Sequence, residues 1–238
     1  MNILITNDDG YRSEALIRLA RWAKKLGSVT VVSPKTEQSG RSQAIEFHKP
    51  IEIKKIDLDP EIEAYYVDST PADCVRFATA SLKTKFDLIL SGINHGYNIG
   101  DDLVYSGTAG AVFEGARLNI SGIALSTDTS TYDVAFENID RVFDFIFKNG
   151  LLKHSCIYNV NIPLAAKEIK VTRQGGMYFD DNFTPLGNDM YMQEGDPIPL
   201  IGCDLSVDID AVRNGYISIT PISAARTNLE AYEKIKDL

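Results

Sequence analysis

An apolar run, Ile3-Leu4-Ile5-Thr6, leads into Asn7-Asp8-Asp9-Gly10, so two adjacent carboxylates precede a residue that permits a sharp turn. Two carboxylates about 4 Å apart repel by roughly 4 kcal/mol at an effective dielectric of 20, so a buried pair needs a cation, a shared proton or several donors. A divalent metal ion meets that need; a solvated Asx turn is the plain alternative. A second stretch, Ser91-Gly92-Ile93-Asn94-His95-Gly96-Tyr97-Asn98-Ile99-Gly100, follows the apolar run Leu88-Ile89-Leu90. Asn94 offers a side-chain carbonyl to a hard cation, and Gly92, Gly96 and Gly100 let the main chain approach an anion closely. No Gly-Lys-Ser/Thr follows, which excludes a Walker loop. The glycine spacing, with no helix starting among them, excludes the dinucleotide fingerprint.

A third stretch, Tyr105-Ser106-Gly107-Thr108-Ala109-Gly110, places Ser106 as the N-cap of a helix that begins with small residues. Free N–H groups there, with the Ser106 and Thr108 hydroxyls, suit a phosphate monoester, although Ser106 serves equally as a simple cap. Ser39, in Gln38-Ser39-Gly40-Arg41-Ser42, is a candidate metal ligand or a turn residue. Two carboxylates, a hydroxyl and an amide carbonyl suit a magnesium- or manganese-like ion better than zinc, which prefers His or Cys. His48, His95 and His154 are too few for a zinc site; His95, inside the glycine loop, is a candidate donor to phosphate.

These groups need strands and helices to hold them, and the pattern supplies both. A helix with Ser13 as N-cap and Gly27 as stop connects the first strand to a second at Val29–Val32, a βαβ unit whose right-handed crossover implies a parallel sheet. Thr70-Pro71-Ala72-Asp73 is a strong helix start. Strands at Phe86–Leu90, Gly122–Ser126 and Cys156–Ile162 alternate with helices at Ser106–Leu118 and Val134–Phe147. The expected fold is a single α/β domain over 1–238, a Rossmann-like three-layer sandwich over 1–165 with a mostly parallel sheet. Residues 166–238 read as β-hairpin extensions and a terminal helix at Thr227–Lys236. Asp8 and the glycine loop that carries Asn94 then share the carboxyl edge of the sheet, where open α/β sheets bind ligands. The stretch Gly175–Pro199 is too apolar for a free loop, with Phe183, Tyr191 and three methionines, so a homodimer is expected.

The chain has 238 residues, 44% of them hydrophobic, and a formal net charge of -9. That acidity argues against a nucleic-acid polymer as partner, because phosphate backbones need clustered Lys and Arg. Three widely spaced cysteines make no disulfide framework, and no apolar stretch approaches the roughly 20 residues of a membrane helix. A soluble cytoplasmic protein is the expectation.

Together these motifs resemble the SurE family, the survival protein E nucleotidases. The resemblance rests on Ile5-Thr6-Asn7-Asp8-Asp9-Gly10, Ser39-Gly40, Ser69 to Val75, Ser91 to Gly100 and Tyr105 to Thr108, and extends through Asn159-Val160-Asn161-Ile162-Pro163 and Gly215 to Pro221. It implies a phosphatase acting on nucleoside monophosphates, with one Mg2+ or Mn2+ ion held by Asp8, Asp9, Ser39 and Asn94. Asp8, Asp9 and Asn94 would carry catalysis, and Asn94, Gly96, Asn98, Ser106, Gly107 and Thr108 would hold the phosphate. It also implies dimers or tetramers with an exchanged carboxy-terminal segment. Ser69 and Ala109 depart from the glycine and valine usual in the family. One other class remains open on the residues, a nucleotide sensor without turnover; a phosphotransferase forming an aspartyl-phosphate expects an Asp-x-Asp pattern, which is absent.

Overall fold

The computed structural model describes residues 1–199 and 203–238. The first apolar run forms β1 (Asn2–Thr6); α1 (Glu14–Ala23) follows, then β2 (Ser28–Pro34), β3 (Ile53–Asp59) and β4 (Ile62–Val67). The chain continues through α2 (Pro71–Ser81), β5 (Leu88–His95), a short 3-10 turn (Gly100–Tyr105), α3 (Gly107–Ala116), β6 (Ser121–Thr127), α4 (Asp133–Lys148) and β7 (Ile157–Ile162). Then come β8 (Ile169–Val171), β9 (Phe179–Gly187), β10 (Met190–Pro197), α5 (Asp208–Arg213), β11 (Ile217–Ile222) and α6 (Leu229–Ile235).

Nine strands form one sheet in the order β3-β4-β2-β1-β5-β6-β7-β11-β8. The strands from β4 to β7 run parallel, while β3 is antiparallel to β4 and β11 to β7. Strands buried on both faces carry unbroken apolar runs, as β1 and β5 do. Ile3, Ile5, Leu88 and Leu90 pack with Leu16 and Leu19 of α1 and Val142 and Phe143 of α4. Leu4 and Ile89 pack on the other face with Val75 of α2 and Val112 of α3. The three expected layers are therefore formed, and the Thr70 hydroxyl caps α2 by accepting the Asp73 N–H at 3.1 Å.

Two features differ from the sequence pattern. The pair β3 and β4 lies where that pattern assigns no element, because β3 is an edge strand with Lys54 and Lys55 exposed and no clean alternation. Residues 166–238 are not all extensions: β11 inserts between β7 and β8 in the main sheet, with Ile217 and Ile219 fully buried. Only β9 and β10 stand apart. They form a two-stranded sheet whose turn residues Asn188 and Asp189 both have positive φ, as a tight two-residue hairpin requires.

From β1 the chain runs outward through β2 and β4, then returns to β5 on the opposite side of β1. The order reverses between β1 and β5, which makes a crevice at their carboxyl ends.

Candidate active site

β1 and β5 end side by side, with Ile5 opposite Leu90 and Thr6 opposite Ser91, so Asp8, Asp9 and Asn94 emerge at one edge. The turn is fixed from within. Asn7 is fully buried; its Nδ2 donates to Gly10 O at 3.0 Å, and the Ser33 hydroxyl donates to its Oδ1. Gln38 N–H donates to Asp8 O at 2.7 Å, which lays the loop carrying Glu37 and Ser39 over the carboxylates.

β5 runs further than the sequence suggests, through His95, by means of a register shift against β6 between Ser91 and Asn94. Gly92 makes this possible. Its φ is +134° and a Cβ there would lie 2.3 Å from Leu125 O. Beyond the shift, Asn94 Nδ2 donates to Gly96 O at 2.8 Å, which leaves Oδ1 as the acceptor facing away.

Asp8 is 3% exposed, and the Thr108 hydroxyl donates to its Oδ1 at 2.5 Å. Burial pushes the Asp8 carboxyl above its ordinary value, and the Thr108 hydroxyl opposes that rise. Gly107 brings the start of α3 against this carboxylate, since a Cβ there would lie 3.1 Å from Asp8 Oδ2 and 3.2 Å from Gln38 O. Asp9 is half-buried. Burial first, then the Asp8 charge and that of Glu37, push its carboxyl up to about 7. Its Oδ2 is buried with no hydrogen-bond partner among the described residues.

An orphaned carboxylate oxygen beside a second buried carboxylate fits a divalent cation. Among the described residues no three His, Cys, Asp or Glu side chains cluster to hold a metal, so an ion at Asp8 and Asp9 would complete its shell with neutral oxygens. Asn94 Oδ1 and the Ser39 hydroxyl are of that kind. The Ser39 hydroxyl donates to Glu37 Oε1 at 2.8 Å, which leaves its lone pairs to accept. Ser39 and Asp9 line one cleft of about 440 Å³ together with Arg12, Glu37, His95 and Tyr132. The sequence reading missed Glu37 and Arg12; Glu37 lies two residues from Ser39, but nothing in its type distinguishes it from a surface residue.

The expected phosphate residues divide into two groups. Ser106 is a cap in fact: its hydroxyl accepts the Ala109 N–H at 3.1 Å and its carbonyl the Gly110 N–H at 2.9 Å. With Thr108 directed at Asp8, the Gly107 N–H is the open donor of the first turn. Gly96 and Asn98 are tied into the loop by hydrogen bonds of their own. Gly96 N–H donates to Thr127 O at 3.0 Å. Asn98 N–H donates to Asn161 Oδ1 at 2.9 Å, Asn159 and Asn161 both donate to Asn98 O, and Asn98 Nδ2 donates to Ser126. His95 packs beside Tyr132, their ring centroids 5.3 Å apart, at the cleft.

A doubly wound α/β sheet with paired carboxylates and a helix N-terminus at its switch point defines a Rossmann-like protein whose candidate site lies in the crevice at the carboxyl ends of its strands. Comparison with known proteins narrows the class. Residues 3–181 match the family described as survival protein SurE, and the chain belongs to that family. A 5'-nucleotidase SurE from Thermosipho melanesiensis is 37% identical over 254 aligned residues, covering 100% of this chain and 97% of the relative. One from Thermoanaerobacter sp. strain X514 is 38% identical, covering 93% of this chain and 92% of the relative. The crystal structure of the SurE protein from Aquifex aeolicus superposes with a TM-score of 0.81 at 35% identity, over 100% of this chain and 99% of that one.

Proposed function

We propose that this chain is a divalent-metal-dependent phosphatase that hydrolyses nucleoside 5'-monophosphates to nucleoside and phosphate, with 3'-nucleotides as further candidate substrates. The observation that carries the metal is the buried Asp8 beside the orphaned Asp9 Oδ2 at the switch point. The substrate class rests on family membership and on relatives named 5'-nucleotidase at 35 to 38% identity over most of the chain.

In this reading Asp8, Asp9, Ser39 and Asn94 hold one Mg2+ or Mn2+ ion. The bound ion supplies Lewis acidity, orientation and charge neutralisation at the phosphate. The Gly107 N–H and the positive end of α3 face the anion. Thr108 orients Asp8, and Asn98, clamped by Asn159 and Asn161, keeps the glycine loop in the shape that presents Asn94. His95, exposed at the mouth of the cleft, is placed to donate to a phosphate oxygen or to the leaving group.

We place the enzyme in the cytoplasm as a homodimer or homotetramer. Three free cysteines support the compartment, and among the described residues no helix is long and apolar enough to cross a membrane. Apolar side chains exposed on β9, β10 and α6 support the assembly. The deciding experiment measures phosphate release from nucleoside monophosphates with Mg2+, with Mn2+ and with chelator, for the wild type and Asp8→Asn. Metal-dependent release that falls at least 10²-fold in the variant is expected. Tight nucleotide binding without turnover under either metal would make the protein a sensor.

A further inference from the structure

Arg12 lines the same cleft of about 440 Å³ as Asp9, Ser39 and His95. It closely follows the 7–10 turn and precedes α1, so the stretch of backbone that sets the two carboxylates also sets this cation. An acidic chain, of formal net charge -9, thus keeps a guanidinium beside its candidate metal site.

The carboxylates around Arg12 are engaged elsewhere. Glu14 accepts from Arg18 at 3.1 Å, Glu37 accepts the Ser39 hydroxyl at 2.8 Å, and Asp9 belongs to the proposed metal site. Arg18, Arg21, Arg76, Arg117 and Arg173 each pair with a carboxylate, whereas Arg12 pairs with none among the described residues. Its charge is therefore left for a ligand. Although exposed, the side chain is held: Nε donates to the Tyr11 hydroxyl at 2.9 Å, and Cζ lies 5.2 Å from the Tyr11 ring centroid. Tyr11 is fixed in turn, because its N–H donates to Pro34 O at 2.8 Å and its ring stacks on that of Tyr66 with centroids 5.4 Å apart. With Nε spent on Tyr11, the terminal nitrogens keep their donors, and a planar fork of donors suits two oxygens of one phosphate.

We propose that Arg12 is a catalytic residue of this chain, its terminal nitrogens binding oxygens of the substrate phosphate in the cleft that Asp9 and Ser39 line. The inference rests on the phosphatase reading above and adds to it a cation from outside the 5–10, 91–100 and 105–108 motifs. The phosphate charge is then met by a fixed protein group as well as by the proposed ion. Tyr11 is the positioning residue that aims the guanidinium.

The test titrates inorganic phosphate, followed by phosphorus NMR, into the Mg2+-loaded protein as wild type, Arg12→Met and Arg12→Lys, beside kcat/KM for AMP. Arg12→Met keeps an unbranched stem against Tyr11 and removes the charge. Its phosphate affinity and its kcat/KM are each expected to fall roughly tenfold, the low end for a hydrogen bond to a charged group because the cleft is open to water. The loss should shrink as salt rises from about 0.05 to 0.5 M. Arg12→Lys, with the charge but without the fork, should recover part of it. A purely structural role would instead lower Tm and leave phosphate affinity unchanged. Phosphate that binds wild type and Arg12→Met alike, or fails to bind wild type, would overturn the proposal; if AMP is still hydrolysed, the phosphatase reading stands. Phosphate binding that weakens in Arg12→Met while no form hydrolyses AMP would support the role of Arg12 as an anion ligand and overturn the phosphatase reading alone.

Discussion

The single hydrogen bond from Thr108 to Asp8 joins residues a hundred positions apart and holds a buried carboxylate in place. Thr108→Val keeps the shape and removes the donor. A hydrogen bond to a charged group contributes about 1.5–3 kcal/mol, so kcat/KM for a nucleoside monophosphate is expected to drop roughly 10- to 100-fold, with the metal concentration for half-activity raised. Equal activity of variant and wild type would show that Asp8 needs no orientation. Asp9 gives a pH signature. Its carboxyl lies at about 7 in the folded chain against 3.8 as its ordinary value, because of burial and the neighbouring Asp8. Between those values, without metal, the folded state holds a proton that the unfolded state has released. This contribution is fully present below pH 3.8 and is lost as pH rises through about 7. With chelator, the Tm is therefore expected to fall between pH 5 and 7.5, with a shallower fall in Asp9→Asn, and Mg2+ or Mn2+ should restore it at pH 7.5. A slope identical in wild type and variant would discount Asp9 as the cause.

At the scale of elements, the site depends on how closely α3 approaches its neighbours. A Cβ on Gly110 would lie 2.0 Å from Ser42 O, so the helix and the 38–42 loop touch through a position without a side chain. Gly110→Ala must push them apart. Overpacking of this kind costs about 1–3 kcal/mol, which for a chain of this size lowers Tm by roughly 2–12 °C. Activity is expected to fall further than stability, because the displaced loop carries Ser39; thermal denaturation and phosphate release on the same sample check both. A variant with native Tm and activity would mean that the loop yields without consequence. The sequence reveals such a site unevenly. Asp8, Asp9, Asn94 and Ser106 stand directly after strong strand or cap signals, so the parallel-sheet rule alone puts them at one edge. The bond from Gln38 N–H to Asp8 O, the commitment of Thr108 to Asp8 and the clamp of Asn159 and Asn161 on Asn98 are through-space facts with no local pattern. The β3 edge strand escapes notice for a different reason: its exposed lysines erase the alternation that marks a half-buried strand.

At the scale of the whole molecule, the carboxy-terminal part does not bury what it should. α6 has seven residues and none is buried; Leu229, Tyr232 and Ile235 stand three apart and exposed. So short a helix is marginal in water by itself, and its order in a protein comes from a covered apolar side. The hairpin repeats the pattern with Phe183, Leu186, Met190, Tyr191 and Met192 exposed on two strands that, among the described residues, pair only with each other. Two uncovered apolar surfaces on one chain are most simply covered by other copies of it. Sedimentation velocity of the wild type is expected to give a dimer or tetramer, and Leu229→Ser/Tyr232→Ser a smaller species with the fold retained by circular dichroism. Phe183→Ser/Tyr191→Ser tests the hairpin separately: if each pair of changes reduces the assembly by one step, the two surfaces make two distinct interfaces. A wild type that sediments as a monomer at micromolar concentration would leave both surfaces without that explanation.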